Sequence, residues 1–159
     1  MALEIERKYL VISDIYREMA ASSSHIVQAY LARPEKGVIR IRIRDDKAYL
    51  TVKSRNTGAT RSEWEYEIPV VDAREMIAKI SDGKLIDKTR YLVRYDDMVW
   101  EVDEFHGALE GLVVAEIELP SECAYFKVPP FIGREVTGER RFYNSVLLEI
   151  KAVNELGLK

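Results

Sequence analysis

At 159 residues and 18.3 kDa the chain has the size of one domain, 1–159, with room for a core that needs no disulfide staple, and a second full domain does not fit. A formal net charge of −3 and a pI near 5.6 supply no global basic field, so nucleic acid is not an expected partner, and no apolar run approaches the roughly 18 residues of a membrane span. The single cysteine, Cys123, cannot form an internal disulfide and reads as a small buried hydrophobe; with Glu4, Glu6, Arg7 and Lys8 interrupting any signal-peptide pattern, a reducing cytoplasm is the expected compartment.

In chain order, most of the sequence alternates with period two. Strands are expected over 3–12, 25–32, 38–44, 48–54, 61–70, 84–95, 98–105 and 112–119, with turns at 34–37, 45–47, 56–60 and 96–97. Such short connections imply antiparallel neighbours. A helix is expected over 71–80, with Asp72 as N-cap and 81–83 as its stop, and another over 142–156, where Phe142, Val146, Leu147, Ile150 and Val153 share one face. Weaker helical patterns cover 13–21 and 121–127.

Strand alternation puts Glu4, Glu6 and Lys8 on one face and Ile5, Arg7 and Tyr9 on the other. The same design returns with Arg40, Arg42 and Arg44 against Ile39, Ile41 and Ile43, and with Glu63, Glu65 and Glu67 against Trp64, Tyr66 and Ile68. It returns again in Lys88 and Arg90, in Glu101 and Asp103, and in Glu116 and Glu118. A solvated face is the ordinary explanation for any one such strand. Arg-Ile-Arg-Ile-Arg, however, crowds like charges and gains nothing unless an anion lies over it. Eight antiparallel strands closed into a barrel with the charged faces inward enclose room for one small ligand. The apolar faces then look outward, to be covered by the helices. The expected class is mainly β (α+β), a charged barrel tunnel flanked by a few helices, one of them C-terminal.

Carboxylate oxygens suit a hard cation such as Mg²⁺, and Arg and Lys suit phosphate oxygens, so both signs in one bore describe a metal–polyphosphate site. Hydrolysis there needs a carboxylate to orient water, with cations to hold the charge of the transition state. His25 and His106 are too few for a multi-histidine zinc site or a Ser-His-Asp triad, and a Gly-rich phosphate loop is absent. Paired carboxylates could serve a glycosidase, but that leaves the arginine strand unexplained.

The run Glu4-Ile5-Glu6-Arg7-Lys8 resembles the ExExK signature of the CYTH domain, or triphosphate tunnel metalloenzyme, family. The resemblance continues through Gln28-Ala29-Tyr30-Leu31, Arg40-Ile41-Arg42, Thr51-Val52-Lys53, Arg61 with Glu63-Trp64-Glu65, Lys88-Thr89-Arg90-Tyr91, Asp103, Glu116-Ile117-Glu118, Glu135-Val136-Thr137, Arg141-Phe142 and Asn144. It implies an eight-stranded tunnel, dependence on Mg²⁺ or Mn²⁺, and a small-molecule triphosphate substrate. By position, Glu4, Glu6, Glu116 and Glu118 would hold metal, and Lys8, Arg40, Arg42, Lys53, Lys88 and Arg90 would grip phosphate. Glu63, Glu65 and Asp103 would serve a second metal or the attacking water, with Lys88 also counted as catalytic. Arg44 and Glu67 fall at the rim, and Phe142 stands where many members have Tyr. The chain resembles the compact bacterial members that cleave inorganic triphosphate. Thiamine triphosphatase, class IV adenylyl cyclase and a non-catalytic polyphosphate or nucleotide sensor are alternatives with the same site, and a homodimer is compatible with the sequence.

Overall fold

The computed structural model describes residues 2–158. Among them, nine strands form one antiparallel sheet in the order β5-β4-β3-β2-β6-β7-β8-β1-β9, closed by pairing of β5 with β1. The strands are β1 (Ala2–Val11), β2 (Ser22–Ala32), β3 (Gly37–Arg44), β4 (Lys47–Ser54), β5 (Thr60–Ile68), β6 (Ile86–Tyr95), β7 (Met98–Phe105), β8 (Val113–Glu118) and β9 (Ile132–Glu135). The first eight close the expected barrel. β9 is an addition, too short to announce itself by alternation.

β1 explains where β9 fits. Its odd-numbered backbone groups face β8, as in the bond from Leu119 N–H to the Ile5 carbonyl. Its even-numbered groups face two partners in turn: Glu6 N–H donates to the Ala59 carbonyl beside β5, and the Lys8 carbonyl accepts from Val136 N–H just after β9. β9 thus covers an edge that β5 leaves behind. Gly133 permits the approach, since a Cβ there would meet Ile12 Cγ2 at 2.5 Å. The hairpin between β6 and β7 turns on Asp96 and Asp97, both with positive φ (50° and 62°), as a two-residue turn matched to strand twist requires.

The inward face changes character along the barrel. Starting from the charged positions, the next inward residue toward one end is Leu10 after Lys8, Val38 before Arg40, Ile86 before Lys88, Phe105 after Asp103 and Val114 before Glu116. These join Tyr30 in a single apolar cluster with Val136, Phe142, Leu147, Leu148 and Leu156 of the C-terminal segment. That segment is a stopper, and the bore is blind at this end.

Outside, the apolar faces are covered in two places. Helix α2 (Val70–Ile80), the second after the short α1 (Tyr16–Met19), lays Ala73, Met76 and Ile77 over Ile41, Ala48 and Leu50. Tyr16 of α1, with Phe126 and Phe131, covers Tyr9, Trp100, Val102 and Ile117.

Five local expectations are corrected. Asp72 does not cap α2: Pro69 occupies the N-cap, and Asp72 lies inside the first turn, where a negative charge still suits the helix dipole. The pattern over 121–127 forms no helix, and Cys123, expected as a small buried hydrophobe, is exposed on this irregular segment. The expected α1 region shrinks to four residues. The tail is not one helix: it comprises a 3₁₀ turn at Arg140–Phe142, α3 (Asn144–Leu147) and a 3₁₀ turn at Val153–Leu156, interrupted by extended backbone at Tyr143 and Ala152. The break at Tyr143 has a consequence inside the barrel. A helix continuing through 142 would commit the Phe142 carbonyl to its own i+4 N–H, whereas here it accepts from Lys8 Nζ at 3.1 Å.

Candidate active site

The charged part of the bore encloses a cavity of about 200 Å³. β1 supplies Glu4, Glu6 and Lys8, β3 supplies Arg40 and Arg42, and β4 supplies Lys53. β5 adds Glu63 and Glu65, β6 adds Arg90, and β8 adds Glu116 and Glu118. Strand pleating delivers each of these from an alternate position, so the sheet itself aims them.

The two signs are interleaved. Glu4 accepts from Lys53 Nζ at 3.1 Å and from Arg61 Nε at 2.8 Å. Burial alone would raise its carboxyl, but Lys53 and Arg61 outweigh that and hold it at about 2. Glu6 lies opposite Glu118 in the β1–β8 register and is 3.8 Å from Arg61. Burial, then the negative charges of Glu116 and Glu4, push its carboxyl up to about 8. Lys8 Nζ is 3.3 Å from Glu116, which stays well below the usual carboxylate range: burial opposes, but Lys8, Arg90 and Lys88 prevail, helped by a hydrogen bond from Glu6. Glu118 is raised by burial and by Glu4.

On the opposite wall, Arg40 Nη2 donates to Thr51 Oγ1 at 3.2 Å and lies 3.5 Å from Glu65, while its buried Nε has no partner among the described residues. Arg42 donates through Nε to Gln28 Oε1 at 3.0 Å. Among the described residues Arg42 enters no ion pair. Burial, then Arg40 and Arg90, lower it to about 9 against the pull of Asp103, so it remains a cation at neutral pH, crowded by others and with no carboxylate paired to it among the described residues. Arg90 grips Asp103 with two bonds of 2.7 and 2.9 Å and Glu101 with a third of 2.7 Å.

Lys88 and Asp103 stand one layer behind the cavity surface. Lys88 is fully buried, bonded to Asp103 Oδ2 at 2.7 Å and Asn144 Oδ1 at 3.2 Å, beside the Phe105 ring. Burial lowers its ammonium to about 7, with Arg90 and Arg42 adding to the effect against Asp103. The structure therefore gathers the expected residues into one place but sets Lys88 and Asp103 behind the others. Arg44 is exposed at the mouth, over the Tyr49 ring, and Glu67 pairs outside with Lys47. Residues without an expected role also reach the cavity: Arg61, Glu101, Tyr30, Thr137, Tyr143 and Asn144. Arg61 and Glu101 were readable, since each stands two residues before an expected carboxylate. The stopper residues carry no alternation that would reveal them.

The donor set fits a hard divalent cation. Among the described residues no three acidic or histidine side chains already converge as a cage. Mg²⁺ requires no such cage, because it takes one or two carboxylates and completes its shell with water and phosphate oxygens. Glu6, whose carboxyl is raised by burial and by the neighbouring Glu116 and Glu4 despite Arg61 at 3.8 Å, is a donor that an added cation would favour in its ionised form.

A closed antiparallel barrel holding interleaved carboxylates and cations around a blind cavity defines a class of metal- and anion-binding tunnel proteins. The chain matches the CYTH domain over residues 2–143 and belongs to that family. It is 46% identical to an inorganic triphosphatase of Acetivibrio thermocellus, over 94% of this chain and 95% of that protein. It is 36% identical to an inorganic triphosphatase of Nitrosomonas europaea, covering 91% and 95%. A crystal structure of an inorganic triphosphatase superimposes with a TM-score of 0.65 at 32% identity, covering 93% of this chain and 95% of the other.

Proposed function

We propose that the protein hydrolyses inorganic triphosphate to pyrophosphate and phosphate, with Mg²⁺ or Mn²⁺, in the cytoplasm. The observation that carries this reading is Arg42: a guanidinium inside the bore, crowded by Arg40 and Arg90 and without a carboxylate of its own, calls for an anion. The 200 Å³ cavity favours a compact anion, being smaller than the roughly 300–1,000 Å³ of sites that enclose drug-sized ligands. The two relatives named as inorganic triphosphatases support the same substrate.

In this reading Arg40, Arg42, Arg90, Lys8 and Lys53 bind phosphate oxygens and hold the chain in line for attack. Arg guanidinia do this through paired N–H groups. Glu4, Glu6, Glu116 and Glu118 would hold the cation, which when bound neutralises charge that develops as the phosphoanhydride bond breaks. Glu63 and Glu65 accept hydrogen bonds from the attacking water, and the proton passes to a carboxylate as the oxygen joins phosphorus. Lys88 and Asp103 hold Arg90 and the wall behind the phosphates in place.

The test is release of phosphate from tripolyphosphate, ATP and thiamine triphosphate with either metal. Tripolyphosphate is expected to be cleaved fastest, and Glu6→Gln and Glu116→Gln are expected to abolish turnover while remaining folded. Cyclic AMP and pyrophosphate from ATP would instead identify a cyclase, and tight binding without turnover at any pH a sensor.

A further inference from the structure

The blind end of the cavity is walled partly by the C-terminal stopper, and one residue there meets both the barrel and the ligand space. Asn144 lies one residue beyond the stretch matched by the CYTH domain and is half-buried at the cavity surface. Its side chain touches Lys88, the fully buried ammonium whose other acceptor is Asp103. The Asn144 atom 3.2 Å from Lys88 Nζ is the amide oxygen, which accepts from the ammonium. The Nδ2 group is thereby fixed as a donor, and among the described residues it has no protein acceptor. Asparagine is the residue that combines these properties: it satisfies Lys88 on one branch and offers N–H on the other, with no charge to repel an anion. Aspartate would satisfy Lys88 equally well but would turn an acceptor-only oxygen toward the cavity.

We propose that Asn144 is a substrate-contacting residue, its Nδ2 donating to the innermost phosphate of a linear triphosphate while its Oδ1 holds Lys88 in the wall. This rests on the triphosphate reading of the cavity. The neutral donor supplements the cations at the point where the chain end meets the stopper, and it ties recognition of that end to the segment that closes the bore.

The experiment is a calorimetric titration of the wild type, Asn144→Asp and Asn144→Ala with tripolyphosphate in EDTA, so that no turnover intervenes, together with thermal midpoints. Asn144→Asp preserves the bond to Lys88, so its midpoint is expected at or above that of the wild type, while its Kd rises at least about tenfold, or about 1.4 kcal/mol. The added carboxylate repels any anion in the cavity whether or not Asn144 touches it, so a weakened Asn144→Asp complex counts only together with Asn144→Ala. Asn144→Ala adds no charge and decides the matter: its Kd is expected to rise at least several-fold. An unchanged Kd in a folded variant, or no binding by the wild type, overturns the proposal. Turnover of tripolyphosphate by the wild type with Mg²⁺ is measured separately: its absence alongside a weakened Asn144→Ala complex removes the hydrolytic reading and leaves the contact.

Discussion

At the open end of the barrel the inward positions of β1, β3, β6, β7 and β8 are charged, and at the stoppered end the same strands turn inward Leu10, Val38, Ile86, Phe105 and Val114. Pleating is identical at the two ends; only the side chains differ. The charged end gathers buried ions whose desolvation costs several kcal/mol each and is only partly offset by pairing. The apolar end removes Phe142, Leu147, Ile86 and Leu112 almost wholly from water, each contributing on the order of 1.5–3 kcal/mol. One end therefore stabilises the barrel, and the other spends part of that stability on holding charges that lack full partners. The two ends meet at Lys8 and Lys88, whose ammonium groups lie in the charged layer but bond to Phe142 and Asn144 of the stopper.

The strongest test of this division is Phe142→Ala. The ring is fully buried, and its loss is expected to cost about 3–5 kcal/mol, read as a lower urea midpoint, because the cavity it leaves cannot collapse against strands on all sides. The Phe142 carbonyl remains to accept from Lys8, so the folded fraction keeps its activity. A cost below about 1 kcal/mol would show that the stopper does not anchor the barrel.

Next in size is the response of the charged end to pH. The Glu6 carboxyl keeps its proton up to about 8 in the metal-free fold, against an ordinary 4.5. Between those values the folded state binds one more proton than the unfolded chain, so stability falls as pH rises, by up to about 1.4 kcal/mol per unit. Glu4, Asp103 and Glu116 are depressed, and their opposite slope is confined to pH below the ordinary carboxylate range. Lys88, lowered to about 7, adds stability with rising pH only above that point. The window is therefore about pH 5 to 7 in EDTA, where Glu118, also raised, adds a slope of the same sign. Urea midpoints there should decline for the wild type and decline less steeply in Glu6→Gln. A wild type already flat would mean that Glu6 is ionised without metal. A divalent cation held by Glu6, as proposed, would displace the same proton, and its affinity should then rise with pH over this window.

Alternation made the barrel and the charged wall legible, since period two assigns Glu4, Arg40, Arg90 and Glu116 to one face without knowledge of their neighbours. It could not assign the stopper. The apolar spacing from Phe142 to Val153 fits a helix, but the backbone at Tyr143 is extended so that one carbonyl reaches Lys8, a demand set by a residue 134 positions away. β9 was hidden for a related reason: four residues pair with an edge of β1 that exists only after β5 has diverged. Lys88 illustrates the limit within the site. Its face was readable, but its depth was not, because depth depends on Phe105 and Asn144 closing over it.

The smallest expected effect lies where the charged end meets solvent. Arg44 continues the Arg40–Arg42 alternation but is exposed, stacked 5.3 Å from the Tyr49 ring and donating to its hydroxyl at 3.2 Å. A charge in water is screened over about 8 Å at physiological ionic strength, whereas Arg42, deeper in the bore, is not. Arg44→Ala should therefore raise KM for tripolyphosphate only a few-fold, less than about 1.4 kcal/mol, and the difference from wild type should vanish as salt is added. Arg42→Ala should raise KM further and keep its deficit at every salt concentration. Steady-state kinetics across a salt series separates the two. If the Arg44 deficit matched that of Arg42 and resisted salt, the boundary between bore and solvent would lie one strand position farther out, and Arg44 would belong to the phosphate wall.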